Sequence, residues 1–127
     1  MDPRELIGQM YKELSAGRVE VLDSVMAPEV VIHNAPAPPD DKGSALERAG
    51  AFYRQLHEAF SDLSFEVEAT VVEGDLVAER TTMRGTHTGE LLGLQPTKTQ
   101  VELTTVAMSR FEGDKLVERW GALGGWA

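Results

Sequence analysis

Phe65-Glu66-Val67-Glu68-Ala69-Thr70-Val71-Val72-Glu73-Gly74-Asp75-Leu76 alternates apolar and polar side chains and then breaks at a Gly-containing turn. Phe65, Val67, Ala69 and Val71 share one face of an extended strand, and Glu66, Glu68 and Thr70 share the other. Glu73-Gly74-Asp75 is a hairpin turn that sends the chain back along itself. The strand it feeds runs from Leu76 to His87. A leucine- and glycine-bearing loop covers Thr88–Lys98. A long strand then spans Thr99–Phe111, Glu112-Gly113-Asp114 turns again, and a last strand covers Lys115–Leu123. From Leu63 onward the period is two, which predicts a meander of long antiparallel strands.

Upstream, the period is helical. Asp2 is positioned to cap a helix, with Pro3 at its first position and Glu5 completing a capping box. Leu6, Ile7, Met10, Tyr11 and Leu14 form its apolar stripe, and Gly17 stops it. A short second helix buries Val19, Leu22 and Val25 or Met26 and ends at Pro28. Glu29–His33 reads as a β-branched strand, and Ala35–Gly43, with three prolines, as an irregular loop. Ser44 and Glu47 form a second capping box ahead of a third helix whose stripe is Leu46, Ala49, Phe52 or Tyr53, Leu56 and Phe60. Three helices against a meander predict an α+β domain in which a curved antiparallel sheet wraps on the helices as a cone around an apolar pocket.

The 127 residues are the size of one domain, 1–127, and 42% of them are apolar. Cysteine is absent, which removes thiolate chemistry and fits a reducing, cytoplasmic compartment. A formal net charge of -9 with no Lys/Arg run opposes nucleic-acid binding. No apolar run approaches the roughly 18–20 residues needed to cross a bilayer, and the polar N-terminus does not read as a signal peptide.

Four segments carry a resemblance. Ala27–Asn34 (APEVVIHN), Ala59–Phe65 (AFSDLSF), Arg84–Glu90 (RGTHTGE) followed by Gly93–Thr97 (GLQPT), and Phe111–Gly121 (FEGDKLVERWG) resemble, in order and along nearly the whole chain, segments of the SnoaL-like polyketide cyclases. The resemblance implies the cystatin-like or nuclear transport factor 2-like α+β barrel. It also implies a deep pocket for a small hydrophobic, polyketide-like substrate, and acid/base ring closure without metal or cofactor. An open sheet face in that superfamily implies a homodimer. The acid/base aspartate implied by the resemblance, in a pattern like W-x-x-x-D, would fall at Gly124. In the similar limonene epoxide hydrolases an Arg-x-Asp pattern would align on Arg80-Thr81-Thr82, where Thr82 replaces the carboxylate.

Three ionisable residues are the candidate catalytic groups. His33 would face the pocket mouth under the resemblance, or else order the Pro-rich loop. His87 sits in the Gly85-Thr86-His87-Thr88-Gly89 corner and either reaches the pocket or ties the bend. Glu118 shares parity with Trp120. If Trp120 lines the cone, Glu118 could replace the missing aspartate; otherwise it pairs with Arg80 or Arg110. His57 is expected to face solvent. Asn34, Tyr53, Arg80, Thr82, Met83, Thr104, Met108 and Trp120 are the candidate ligand contacts, with Phe52 and the Leu91-Leu92-Leu94 loop as further apolar wall. These features predict a cofactor-independent cyclase, isomerase or dehydratase. The alternatives are a binding module that has lost the aspartate and, less favoured, an epoxide-hydrolase-like enzyme. A dimerisation domain is the third reading.

Overall fold

The computed structural model describes residues 2–33, 43–91 and 93–121. Helix α1 spans Pro3–Ser15, α2 Val21–Val25 and α3 Ala45–Ala59; strands β1 to β5 span Met26–His33, Phe60–Glu73, Leu76–His87, Gln100–Glu112 and Lys115–Gly121. The strands form one sheet in the order β1-β5-β4-β3-β2.

Local chemistry sets the helix ends. The Asp2 carboxylate accepts from the Arg4 N–H at 2.8 Å, and the chain leaves α1 through Gly17 at φ +85°. At α3, Ser44 and Glu47 make the reciprocal capping box. His57, expected to face solvent, is instead half-buried, and its Nε2–H donates to the Leu14 carbonyl at 2.6 Å. It thus adds a side-chain donor to a carbonyl in the last turn of α1 that also accepts from the Gly17 N–H at 3.1 Å.

The sheet is mixed rather than wholly antiparallel. β2 to β5 form the expected meander, but β1 joins its edge parallel to β5, with His33 opposite Trp120. β1 begins at Met26, three residues before the expected strand. Its register slips between Met26 and Val31, and Pro28, which has no N–H to donate, lies inside that irregular stretch of an edge strand. β2 likewise begins at Phe60 rather than Leu63. Phe60 and Ser61 already pair with His87 and Thr86, and a bulge containing Asp62 at φ +52° absorbs the shift; a second bulge at Glu68, between Val67 opposite Thr81 and Ala69 opposite Arg80, turns Ala69 and Val71 away from the face of Phe65 and Val67 that their alternation predicted for all four.

Two apolar clusters fill the space between helices and sheet. One joins α1, α2 and the sheet through residues such as Ile7, Leu14, Leu22, Val77 and Leu116. The other joins the end of α3 to β2 and β3 through Leu56, Ala59, Phe60 and Met83. Tyr53 and Phe65 pack against both, so the seam between the clusters runs beneath α3.

Candidate functional site

The faces of the strands decide which side chains meet under the helices. On β3 the helix-facing residues are Val77, Glu79, Thr81, Met83 and His87, all buried; on β4 they include Leu103, Thr105, Ala107 and Ser109. β5 holds a bulge: Phe111 pairs with Leu116 but Arg110 pairs with Glu118, leaving Val117 extra. That one residue reverses the parity of the strand. Leu116 and Arg119 therefore both point inward, and Glu118 and Trp120 point outward.

Arg119 is the centre of the interior. Its Nη1 donates to Glu79 Oε1 at 2.8 Å and to Ser109 Oγ at 2.7 Å, and its Nη2 donates to Tyr11 Oη at 2.7 Å. The Arg119 and Glu79 side chains are 9% and 1% exposed, so this is a buried ion pair in which both terminal nitrogens of the guanidinium are engaged. Thr81 Oγ1 donates to the other Glu79 oxygen at 2.7 Å. Burial alone would weaken the Arg119 charge, but the oxygens of Tyr11, Glu79 and Tyr53 hold the guanidinium protonated, its pKa raised. Burial is also the main cause that pushes the Tyr11 phenol well up and the Tyr53 phenol up, against the lowering influence of Arg119. Both tyrosines therefore remain neutral hydrogen-bond donors at ordinary pH.

A cavity of about 50 Å³ opens beside this cluster at the seam between the two cores. Tyr11, Tyr53, Thr81 and Thr105 supply its polar wall, and Phe52, Leu56, Phe65, Met83 and Leu103 its apolar wall. Phe65 fixes both tyrosine rings, with centroids 5.5 Å from Tyr11 and 5.8 Å from Tyr53 in an edge arrangement. The volume is below the ~300–1,000 Å³ of most ligand pockets. A larger groove of about 460 Å³ lies on the sheet near Asp62, Arg84 and Glu102, but Arg84 there is already paired with Glu66 and Glu102 at 3.2 and 3.0 Å.

Of the expected ligand contacts, Tyr53 and Met83 line the cavity. Arg80, Thr82, Thr104, Met108 and Trp120 lie on the opposite, outer face. There Thr82 bonds Glu68 and, at 2.8 Å, Thr104, and Arg80 pairs with Glu68 at 3.5 Å. Asn34, Leu92 and Gly124 lie outside the described residues; Leu91 is buried in the second cluster and Leu94 is exposed.

The three expected catalytic groups do not converge. His33 and Glu118 do meet, Nε2 to Oε2 at 2.8 Å, with the His33 ring stacked on Trp120 and Arg110 on the other Glu118 oxygen at 3.2 Å. This cluster is on the outer face and holds Glu118 ionised: the His33 hydrogen bond is the main cause lowering its pKa, and Arg110 adds to it against desolvation. The ion pair with Arg110 is thus the arrangement adopted, and the raised pKa expected for a carboxylate inside the cone does not arise. His87 is at the far end of the sheet. Register places His33, Trp120, Met108 and Ala78 in one row, and His87 is nine residues further along β3, or roughly 30 Å of strand. His87 is buried against Phe60, and the Thr97 N–H donates to its Nδ1 at 3.4 Å, which leaves the proton on Nε2. That Nε2 has no hydrogen-bond partner among the described residues.

Among the described residues, no group of three or more His, Asp or Glu could hold a metal ion, and no helix is long and apolar enough to cross a membrane. A search of curated protein sequences returned no significant match. Among solved structures, IdmH from Streptomyces antibioticus, named as a candidate polyketide cyclase, is 32% identical with a TM-score of 0.79, the alignment covering 96% of this chain and 91% of that one. AclR from Streptomyces galilaeus, named as a candidate hydroxylase, is 28% identical with a TM-score of 0.78 over 94% of this chain and 76% of that one. A Catenulispora acidiphila protein with a ketosteroid isomerase-like fold, 13% identical with a TM-score of 0.73 over 96% and 86% of the two chains, shows the fold alone. The family model for SnoaL-like polyketide cyclases matches residues 5–124. With the curved sheet, three helices and these neighbours, the chain belongs to the SnoaL-like polyketide cyclase family and has its nuclear transport factor 2-like α+β fold.

Proposed function

We propose that the protein acts on a hydrophobic, polyketide-like small molecule held between α3 and the helix-facing side of the sheet, in the cytoplasm, by acid/base chemistry of the cyclase, isomerase or dehydratase type without a cofactor. The observation that carries this reading is the family's fold with a seam cavity whose polar wall is two neutral phenols and two threonines, with a buried guanidinium behind Tyr11. A polycyclic ligand requires the Phe52 and Tyr53 wall to move outward, since the cavity as it stands holds little more than water. The test is incubation with linear and partly cyclised aromatic poly-ketones, followed by mass spectrometry. An isomer of unchanged mass, or one lighter by a water, supports the reading. No product from any member of the series counts against it.

One observation favours the second reading, a binding module. Among the described residues no carboxylate lines the cavity; Glu79, beneath it, is held by Arg119 and Thr81, and His33, Glu118 and His87 do not line it either. A carbon acid needs a base within hydrogen-bond reach. Saturable ligand binding with no turnover would establish this reading.

A homodimer is proposed to form through the outer face. Val31, Val71, Val106 and Met108 are the exposed large apolar residues of the strands, and all four lie there. Light scattering of Val106→Lys with Met108→Lys should give the monomer mass where the parent gives twice that. A monomeric parent at high concentration refutes the dimer.

A further inference from the structure

We propose that Thr105 is a specificity-determining residue of the seam cavity: its hydroxyl donates a hydrogen bond to a carbonyl oxygen of the ligand, so the site takes a ketone in preference to a hydrocarbon of the same shape. This rests on the reading that the ligand occupies the cavity, and it names the ligand group that the sheet side of the cavity recognises.

Two neighbouring rows of the β3–β4 ladder each set a threonine opposite a threonine: Thr82 opposite Thr104, and Thr81 opposite Thr105. Successive residues of a strand point to opposite faces, so the first pair is on the outer face and the second on the inner. The outer pair is closed. Thr82 donates to Glu68, and Thr104 donates to Thr82 at 2.8 Å. The inner pair is open. Thr81 donates along its own strand to Glu79 Oε2 at 2.7 Å, and Thr105 has no hydrogen bond to Thr81 or to any other described residue. A hydroxyl sealed from water without a partner is costly, and among the described residues His87 Nε2 is the side-chain atom left in that state. The half-buried Thr105 hydroxyl therefore borders open space, and the space that Thr105 lines is the cavity.

The other three hydroxyls of the wall are placed differently. The Thr81 proton is committed to Glu79, so Thr81 can accept from a ligand but not donate to it. Tyr11 Oη is engaged by Arg119 Nη2 within the charged cluster. Tyr53 stands on α3, the wall that moves outward when a polycyclic ligand enters, whereas Thr105 stands on the sheet. A carbonyl oxygen has lone pairs and no proton, so it needs a donor, and Thr105 supplies one from a wall that stays in place. A hydrocarbon bound there excludes water from the same hydroxyl and offers it no acceptor.

The test uses two probes of nearly the same shape, acetophenone and α-methylstyrene, in which a carbonyl oxygen is exchanged for a methylene group. Each is titrated into protein labelled at the methionine methyls, with Met83, which lines the cavity, as the reporter. The readout is the ratio of the two Kd values, because any outward movement of the Phe52 and Tyr53 wall is common to both probes and cancels. Thr105→Val exchanges the hydroxyl for a methyl and keeps a β-branched residue in the strand. It should move the ratio about fivefold toward α-methylstyrene, the worth of one hydrogen bond. Thr105→Ser, which keeps the hydroxyl, should hold the ratio within about twofold of the parent, a rescue that a merely packing role for this residue would not give. Should Thr105→Val fail to fold, Thr105→Ala makes the same comparison. Both probes binding with the ratio unmoved in Thr105→Val overturns this inference alone, as does a ratio that Tyr53→Phe shifts and Thr105→Val does not. Neither probe shifting Met83 in the parent overturns the cavity reading beneath it.

Discussion

Arg119→Met should be among the most destabilising single substitutions in this domain. Methionine is of similar length, so little cavity is created, and the cost is electrostatic. The substitution leaves the Glu79 carboxylate, 1% exposed, with the Thr81 hydroxyl but without its cation. It also removes the donor from Ser109 Oγ and from Tyr11 Oη. Breaking a buried pair from one side typically costs about 3–5 kcal/mol, a large share of the ~5–15 kcal/mol that holds a domain folded. For a chain of this size that is a fall in Tm of roughly 10–20 °C. Glu79→Leu combined with Arg119→Met removes both charges, and replacing a whole buried pair by apolar residues is often close to neutral. The double variant should therefore recover at least ~2 kcal/mol over Arg119→Met, a coupling that a double-mutant cycle reads directly. Urea unfolding at pH 7, followed by circular dichroism, gives all four stabilities. A loss below ~1 kcal/mol in Arg119→Met, or a double variant no more stable than that single one, would refute a buried and mutually dependent pair.

Glu118 gives a pH-dependent signal of known sign. Its carboxyl is held below the usual range by His33 and then Arg110, so its contribution is present above the unfolded-state value of about 4.3 and is lost as pH falls through the lower folded value. The Tm difference between parent and Glu118→Gln should persist from neutral pH down to about pH 5 and shrink below pH 4; a difference that grows on acidification contradicts this. Gly89→Ala should destabilise by about 1–3 kcal/mol, because an added Cβ would stand 2.2 Å from the Glu58 carbonyl oxygen and 3.1 Å from Ala59 Cα; an unchanged urea midpoint would show that the corner does not dock on the end of α3. His57→Ala should lower Tm by removing the side-chain donor to the Leu14 carbonyl, which keeps only its backbone partner Gly17, and amide exchange in the last turn of α1 should quicken; unchanged exchange refutes the cap.

The fold was legible because its signals are periodic. The stripe Leu6, Ile7, Met10, Tyr11 and Leu14, the Ser44 capping box and the turns at Gly74 and Gly113 each specify an element locally, and the structure places them as read. The site was less legible, and the reason is parity. Arg80, Thr82, Thr104 and Met108 read from sequence as ligand contacts, but the faces that carry Arg80, Arg84, Glu66 and Glu102 are the solvated ones, and that charge pattern in the sequence is the indicator of which side faces out. On β5 no such pattern helps, since the extra residue at Val117 brings Arg119 inward and turns Glu118 and Trp120 outward. A bulge depends on how two strands align and leaves no mark in one strand alone. Tyr11 reads as core, which it is; that its hydroxyl meets Arg119 from a distant strand is a tertiary fact. The parallel edge strand has the same origin, because pairing of β1 with β5 joins the early and final parts of the chain.

The methionines offer the most direct measurement of where the ligand sits. Met83 lines the seam cavity on the inner face, and Met108 lies on the outer face beside Trp120. Methyl NMR of the protein labelled at methionine, titrated with an aromatic polycyclic ketone, should shift the Met83 signal saturably and leave Met108 in place. A saturable shift of Met108 with Met83 unmoved would put the ligand on the outer face, with His33, Glu118 and Trp120, and contradict the account.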